Sequence, residues 1–196
     1  MFKQMRFSKL IPFLAMIIVC SLGEGAFFSG SAHASEASGS NDPSLDRDSF
    51  AALNALYVSE PKAKALAGRA RAILIFPSIV KAGLMVGGLS GNGVLIEHGK
   101  VTAKYNISAA SFGLQAGAQK FSQVMFLTNN YSLDYLNKSG GWSVGVGPSV
   151  VVVDSGMAKS LTTDNLNSDV YVFIFGQQGL MAGLGVQGQK ISRLSD

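Results

Sequence analysis

The spacing of apolar positions changes character once along this chain, near Ile73. From Leu45 to Arg71 the pattern is helical: Leu45, Ser49, Ala52/Leu53 and Leu56 recur near 3.6 residues, behind candidate caps at Asp42 and Ser44. Ser59-Glu60-Pro61 restarts a helix, with Ser59 as the expected N-cap and Pro61 in the first turn, where a missing N–H costs nothing. Beyond Ile73 the texture is that of strands. Ile73-Leu74-Ile75-Phe76 is an apolar run that Pro77 is expected to stop. Val94–Ile96 and Val101–Ile107 flank Glu97-His98-Gly99-Lys100 and read as a β-hairpin. Further strands are predicted at Ala109–Ala118, Val124–Leu127, Trp142–Val153, Val170–Phe175 and Leu180–Ile191, with a short helix at Asn130–Leu136.

Glycine changes this picture. Of the 23 glycines, Gly83, Gly87, Gly88, Gly113, Gly117, Gly183 and Gly185 are among those inside apolar strand-like runs. Glycine within a strand marks a bulge, a sharp bend or the close approach of another backbone. The predicted architecture is therefore α+β: N-terminal helices packed on a curved, mostly antiparallel Gly-rich β-sheet or small barrel. Gly113–Lys120 and Gly183–Lys190 resemble one another, which reads as a duplicated strand within one sheet. A small outer-membrane barrel is a rival architecture, opposed by the helical segment 45–71.

The first 34 residues read as an address. Lys3, Arg6 and Lys9 precede an apolar run from Leu10 to Leu22, and Ala32-His33-Ala34 offers an A-x-A cleavage pattern before Ser35. Those features describe a secretory signal peptide, so export to the periplasm, the cell envelope or the medium is expected. Lipoprotein processing at Cys20 is the competing reading; Val19 stands where a small residue is wanted. Residues 35–44 form a polar, flexible leader, and 45–196 a single domain. Removing residues 1–34 takes away three cations and one acid, leaving 13 cations against 11 acids. So small a positive balance implies no nucleic-acid partner.

Chemistry is scarce. After residue 34 there is one histidine, His98, and no cysteine. Only carboxylates remain for a metal, and Asp42, Asp46 and Asp48 lack the glycine turn and distal Glu of a calcium loop. Gly183-x-Gly185-x-x-Gly188 has the letters of a dinucleotide fingerprint, but eight residues follow it, too few for the helix and second strand that motif requires. His98 beside Glu97 on a turn reads as solvated, and Asp154, Asp164 and Asp169 share no catalytic spacing. The residues thus define no enzyme, no cofactor site and no metal site.

What remains is charge on a helix. On a wheel for 62–71, Ala63, Leu66, Ala67 and Ala70 share one face, flanked by Lys62 and Arg69 on one side and by Lys64 and Arg71 on the other. Cations bracketing an apolar strip suit an interfacial helix on anionic lipid, and Lys81 follows closely. An Ala-rich strip equally suits packing on a sheet, and this alternative stays open.

Several blocks resemble a known family. Ala70-Arg71-Ala-Ile-Leu-Ile-Phe-Pro77, Val80-Lys81-Ala82-Gly83 and Val86-Gly87-Gly88-x-x-Gly91-x-Gly93-Val94-Leu95 resemble the start of the SYLF lipid-binding domain. Ser111-Phe112-Gly113-Leu114-Gln115-x-Gly117-Ala118-Gln119, Leu127-Thr128-Asn129, Gly145-x-Gly147-Pro148 and Gly179-Leu180-Met181-Ala182-Gly183 follow in order. The resemblance spans about Lys62 to Arg193. It implies a non-enzymatic domain without cofactors that binds membrane lipids, phosphoinositides in eukaryotic members; some fungal members bind actin. It places lipid contact loosely on Lys62, Lys64, Arg69, Arg71 and Lys81. The partner expected on this reading is an anionic lipid or membrane surface. The alternative is an envelope structural or protein-interaction module that recruits a protein partner and makes no direct lipid contact.

Overall fold

The computed structural model describes residues 43–138, 141–153 and 167–195. The expected signal peptide with Cys20 and His33, the leader up to Asp42, and Asp154 and Asp164 lie outside the described residues. Among the described residues, three helices and five strands follow in order: α1 (Pro43–Ser59), α2 (Pro61–Ala67), β1 (Ala72–Glu97), β2 (Lys100–Leu127), α3 (Asn130–Lys138), β3 (Trp142–Ser143), β4 (Val150–Val153) and β5 (Val170–Arg193). The architecture is α+β, with N-terminal helices packed on a curved, mostly antiparallel half-barrel.

Helix α1 starts at Pro43, so the last two residues expected in the leader are helical. Its buried face is Ser49, Leu53 and Leu56, at the spacing the sequence predicted. Ser59 does not cap α2. Its hydroxyl donates back to the Leu56 carbonyl at 3.2 Å and closes α1. Glu60 is the residue before α2 and makes no side-chain cap; Pro61 occupies the first turn as expected.

The strands are longer than predicted because weak interruptions are absorbed as bulges. Pro77 does not stop β1; the ladder with β2 slips between Phe76 and Ile79 and resumes. The segments expected at 101–107, 109–118 and 124–127 are one strand, β2, and those at 170–175 and 180–191 are β5. The hairpin at 97–100 forms as predicted, with His98 at φ 51° and Gly99 at φ 77°. In the opposite sense, the strand expected over Trp142–Val153 is two short ones divided by a turn. The sheet order is β1-β2-β5-β3, and β4 lies parallel to β5 over Val170–Phe173.

Alternation along the strands sorts side chains into two cores. Leu74, Phe76, Ile107, Met125 and Val172 face one way and pack with Leu136 of α3 and with Trp142. Ile75, Val94, Val124, Phe126 and Phe173 face the other way, under Leu53 and Leu56 of α1 and Ala63 and Leu66 of α2. Phe126 and Phe173 meet edge to face there, 5.6 Å between centroids.

β1, β2 and β5 also bend at a common level. A Cβ placed on Gly83 would sit 2.5 Å from the Gly87 Cα, so the chain reverses between them, with Met85 at φ 64°. Past the bend, Gly91 and Gly93 lie directly on the backbone of Ile75–Ile79, and β1 closes against its own first half. β2 and β5 stay paired through the bend, with Gly113 opposite Gly185 and Gln115 opposite Gly183. The two similar segments found in the sequence therefore lie on neighbouring strands and overlap at the fold line.

Candidate functional site

The cations expected to bind lipid are only partly brought together. Helix α2 ends at Ala67, so it carries Lys62 and Lys64 but not Arg69 or Arg71. The chain leaves the helix through Gly68, and the Arg71 N–H joins the sheet by donating to the Leu127 carbonyl at 2.7 Å. Lys64, Arg69 and Arg71 are exposed and Lys62 is half-buried. The apolar strip they flank is spent on the core: Ala63 and Leu66 are buried, and Ala67 and Ala70 pack against the same cluster. Lys81 stands apart. Ten residues of strand separate it from Arg71, about 33 Å at the rise of an extended chain.

A groove of about 390 Å³ opens between α1, the end of α2 and the turn of the β1–β2 hairpin. Phe50 and Tyr57 form its α1 wall, Ile73 its floor, and Arg71 and His98 its rim. Phe50 is exposed although it belongs to the apolar class, and burial pushes the Tyr57 phenol above its ordinary value. The signal for this wall is present in the sequence: Phe50 and Tyr57 are seven residues apart, two helical turns, immediately after the core positions Ser49 and Leu56. Reading only the core stripe passes over them.

A second polar cluster is architectural. Asp169, just before β5, accepts from the Ser149 backbone N–H and hydroxyl, both at 2.8 Å, and from the Asn129 side-chain amide. Asn129 also accepts from the Ser132 N–H at 2.9 Å and so caps α3, while the Thr128 hydroxyl donates to the Ser168 carbonyl at 3.0 Å. One carboxylate thus gathers the end of β2, the start of α3 and the approaches to β4 and β5. The Ser149 N–H foremost, then the Asn129 amide, hold the Asp169 carboxyl below the ordinary carboxylate range, against a small opposing effect of burial. A lowered folded-state value adds stability above the unfolded value, lost as pH falls through the folded one. Asp169→Asn is therefore expected to flatten the acid side of the stability profile below about pH 4, and Asp169→Ala to cost about 1 kcal/mol at neutral pH. Urea midpoints measured from neutral pH to pH 3 check both; an unchanged acid limb in Asp169→Asn would remove the assigned role.

Among the described residues no three His, Cys, Asp or Glu side chains lie together where they could hold a metal ion. Nor is any helix among them long and apolar enough to cross a membrane. Fold and groove together form a half-barrel braced by helices, with an amphipathic recess at one end.

Residues 108–196 match the family model described as Ysc84, Las17-binding protein actin regulator. That match covers β2 from Ser108 onward through β5, somewhat less than half of the chain, and agrees with the resemblance of its glycine blocks to the SYLF domain. The family description is that of a binding protein and regulator. No curated protein matches the chain.

Proposed function

We propose that this chain is a protein-interaction module, exported to the cell envelope, that receives a segment of a partner protein in the groove between α1 and the β1–β2 turn. The observation that carries this reading is the composition of the groove. Phe50, Tyr57 and Arg71 line one recess, and Tyr and Arg are the residue types that most often anchor protein interfaces. A half-exposed aromatic wall with a cationic rim suits an apolar segment carrying an acidic group. The family description, which names a binding protein and actin regulator, supports the same class.

Contact with anionic lipid through Lys62, Lys64, Arg69, Arg71 and Lys81 is the second reading. The exposure of Lys64, Arg69 and Arg71 favours it; burial of Ala63 and Leu66 confines it to charge at the surface, without insertion of α2. A photo-crosslinking side chain placed at Phe50 separates the two. A single protein adduct, competed by excess unlabelled chain and lost in Arg71→Glu, is the expected result. Adducts of lipid mass alone, or none that saturate, would overturn the groove assignment.

A further inference from the structure

The two outer strands of the sheet are protected unequally. β1 carries Pro77 with its bulge and Lys81, and it closes against its own first half at Gly91 and Gly93. Proline, bulges, lysine and a covering segment are the usual means of blunting an edge. β5 has neither proline nor charge between Asp169 and Lys190. β4 covers its outer side at 170–173 and β3 at 190–191, where the Val144 N–H also donates to the Gln189 carbonyl at 2.9 Å. Between them, residues 174–188 have no strand partner on that side among the described residues. Every residue from Gly176 to Leu180 is exposed, Leu180 at 88%. Leu84, Met85, Val86 and Phe112, on the strands behind, are 60–74% exposed and join Leu180 in an apolar end at the bend. Exposed apolar area beside an open edge marks a contact site.

The shape of the edge says what the contact is with. The ladder with β2 slips between Phe175 and Gln178 and then runs without interruption past Gly188. Residues 178–188 are thus a continuous open edge, roughly 35 Å long. An antiparallel neighbour along it makes about ten backbone hydrogen bonds, as many as a typical stable interface holds. The middle of this run, Gly183, is where the sheet bends, with Gly183 opposite Gln115 and Gly185 opposite Gly113. A straight extended segment follows only one arm of such an edge. A second β5, turned about a two-fold axis through Gly183, bends at the same level and follows both. Charge agrees. β5 is preceded by an acid, Asp169, and ends in cations, Lys190 and Arg193. Antiparallel pairing turns the acidic end of one copy toward the cationic end of the other, while parallel pairing sets like beside like.

We propose that β5 is a self-association edge, along which two copies of the chain pair antiparallel over residues 178–188 about an axis at Gly183. The two half-barrels then share one continuous sheet. Leu180 of each copy stands opposite Val186 of the other, an apolar pair on either side of the axis. None of residues 174–188 lines the groove beside α1, so this surface is separate from the one assigned to a partner protein.

The test uses the full chain with Cys20→Ser. Sedimentation of a dilution series is expected to show a monomer–dimer equilibrium. A spin label on Leu180→Cys is expected to report an intermolecular distance of roughly 20 Å, and one on Gln178→Cys roughly 34 Å, as antiparallel strands about Gly183 require. Equal distances at the two positions, or none, overturn the pairing. Ala182→Lys sets like charges diagonally across the axis, and Ala182→Glu does the same. Each alone weakens dimerisation roughly tenfold or more, and an equal mixture of the two restores it. Circular dichroism confirms that the variants remain folded. A monomer at every concentration overturns the proposal, even one that accepts a strand of another protein. So does a dimer indifferent to Ala182→Lys, whose contact lies elsewhere. Crosslinking at Phe50 is unaffected by these changes, so the two assignments fail separately.

Discussion

Trp142→Ala is expected to lower stability by about 3–5 kcal/mol and to leave little folded protein under mild denaturing conditions. Trp142 is the single tryptophan of the chain and is fully buried. Its indole N–H donates to the Val146 carbonyl at 3.0 Å, its ring meets Tyr135 nearly edge-on at 6.4 Å, and its backbone pairs with Ile191. One residue thus fastens the turn after β3, helix α3 and the last strand to the same core. Truncation leaves a void among elements that have few other attachments, since β3 is only two residues long. Trp142→Phe keeps the ring and loses the hydrogen bond; the freed carbonyl belongs to an exposed residue and rehydrates, so a cost of about 1–2 kcal/mol is expected. Urea unfolding followed by far-ultraviolet circular dichroism, which does not depend on the lost fluorophore, checks the order of the two variants. Equal midpoints for Trp142→Ala and wild type would show that these elements are held elsewhere.

The other large effect belongs to a residue with no side chain. Gly93→Ala is expected to cost about 3 kcal/mol, at or above the upper end of ordinary overpacking. A methyl there would overlap the Ile75 carbonyl oxygen and lie 2.5 Å from the Phe76 ring. Neither can yield: Ile75 is locked in the β1–β2 ladder and Phe76 is fully buried in the core. The contact is the one by which β1 closes on itself, so relief requires the half-barrel to open. Gly99→Ala provides the contrast. Nothing lies within 4 Å of its position, and only the φ of 77° is unfavourable, for which about 1 kcal/mol is the ordinary cost. Thermal unfolding of the two variants side by side distinguishes a steric from a conformational demand for glycine; equal costs would contradict the closure.

The legible part of this fold was whatever depends on period and on local turn chemistry. Leu53 and Leu56 were placed by helical spacing, the hairpin by His98-Gly99, and α3 by its position between two strand runs. The glycines announced curvature, and curvature is what they produce. Strand length was not legible, because the ladder across β2 tolerates a proline and three register shifts in β1 that local rules treat as stops. The extent of α2 was misjudged for a related reason: residues 68–71 keep helical spacing, yet Arg71 gains a backbone hydrogen bond to Leu127 only by leaving the helix. The basic helix was legible as a pattern, but the pattern could not say which surface receives Ala63 and Leu66. Phe50 and Tyr57 form a wall only once the turn of a hairpin some forty residues further on is set against them. The bend has no local signature beyond glycine, since its apolar end is built from three segments remote in sequence.

The ladder also dictates an order of assembly. β1 and β2 are joined by a two-residue turn, so their pairing can start at Glu97–Lys100 and run outward, each pair closing only a slightly larger loop than the one before. That zipper meets the reversal at Met85 midway and must turn the corner before Ile75 can find Val124. β5 comes last. Its pairs with β2 join residues from 43 to 88 positions apart, from Leu127–Val170 to Tyr105–Arg193, and it brings β3 and β4 with it. Until it arrives, β2 presents an open edge of apolar residues along much of its length. The chain's most vulnerable interval is therefore the wait for its final strand, when another molecule's β5 can complete the sheet as well as its own.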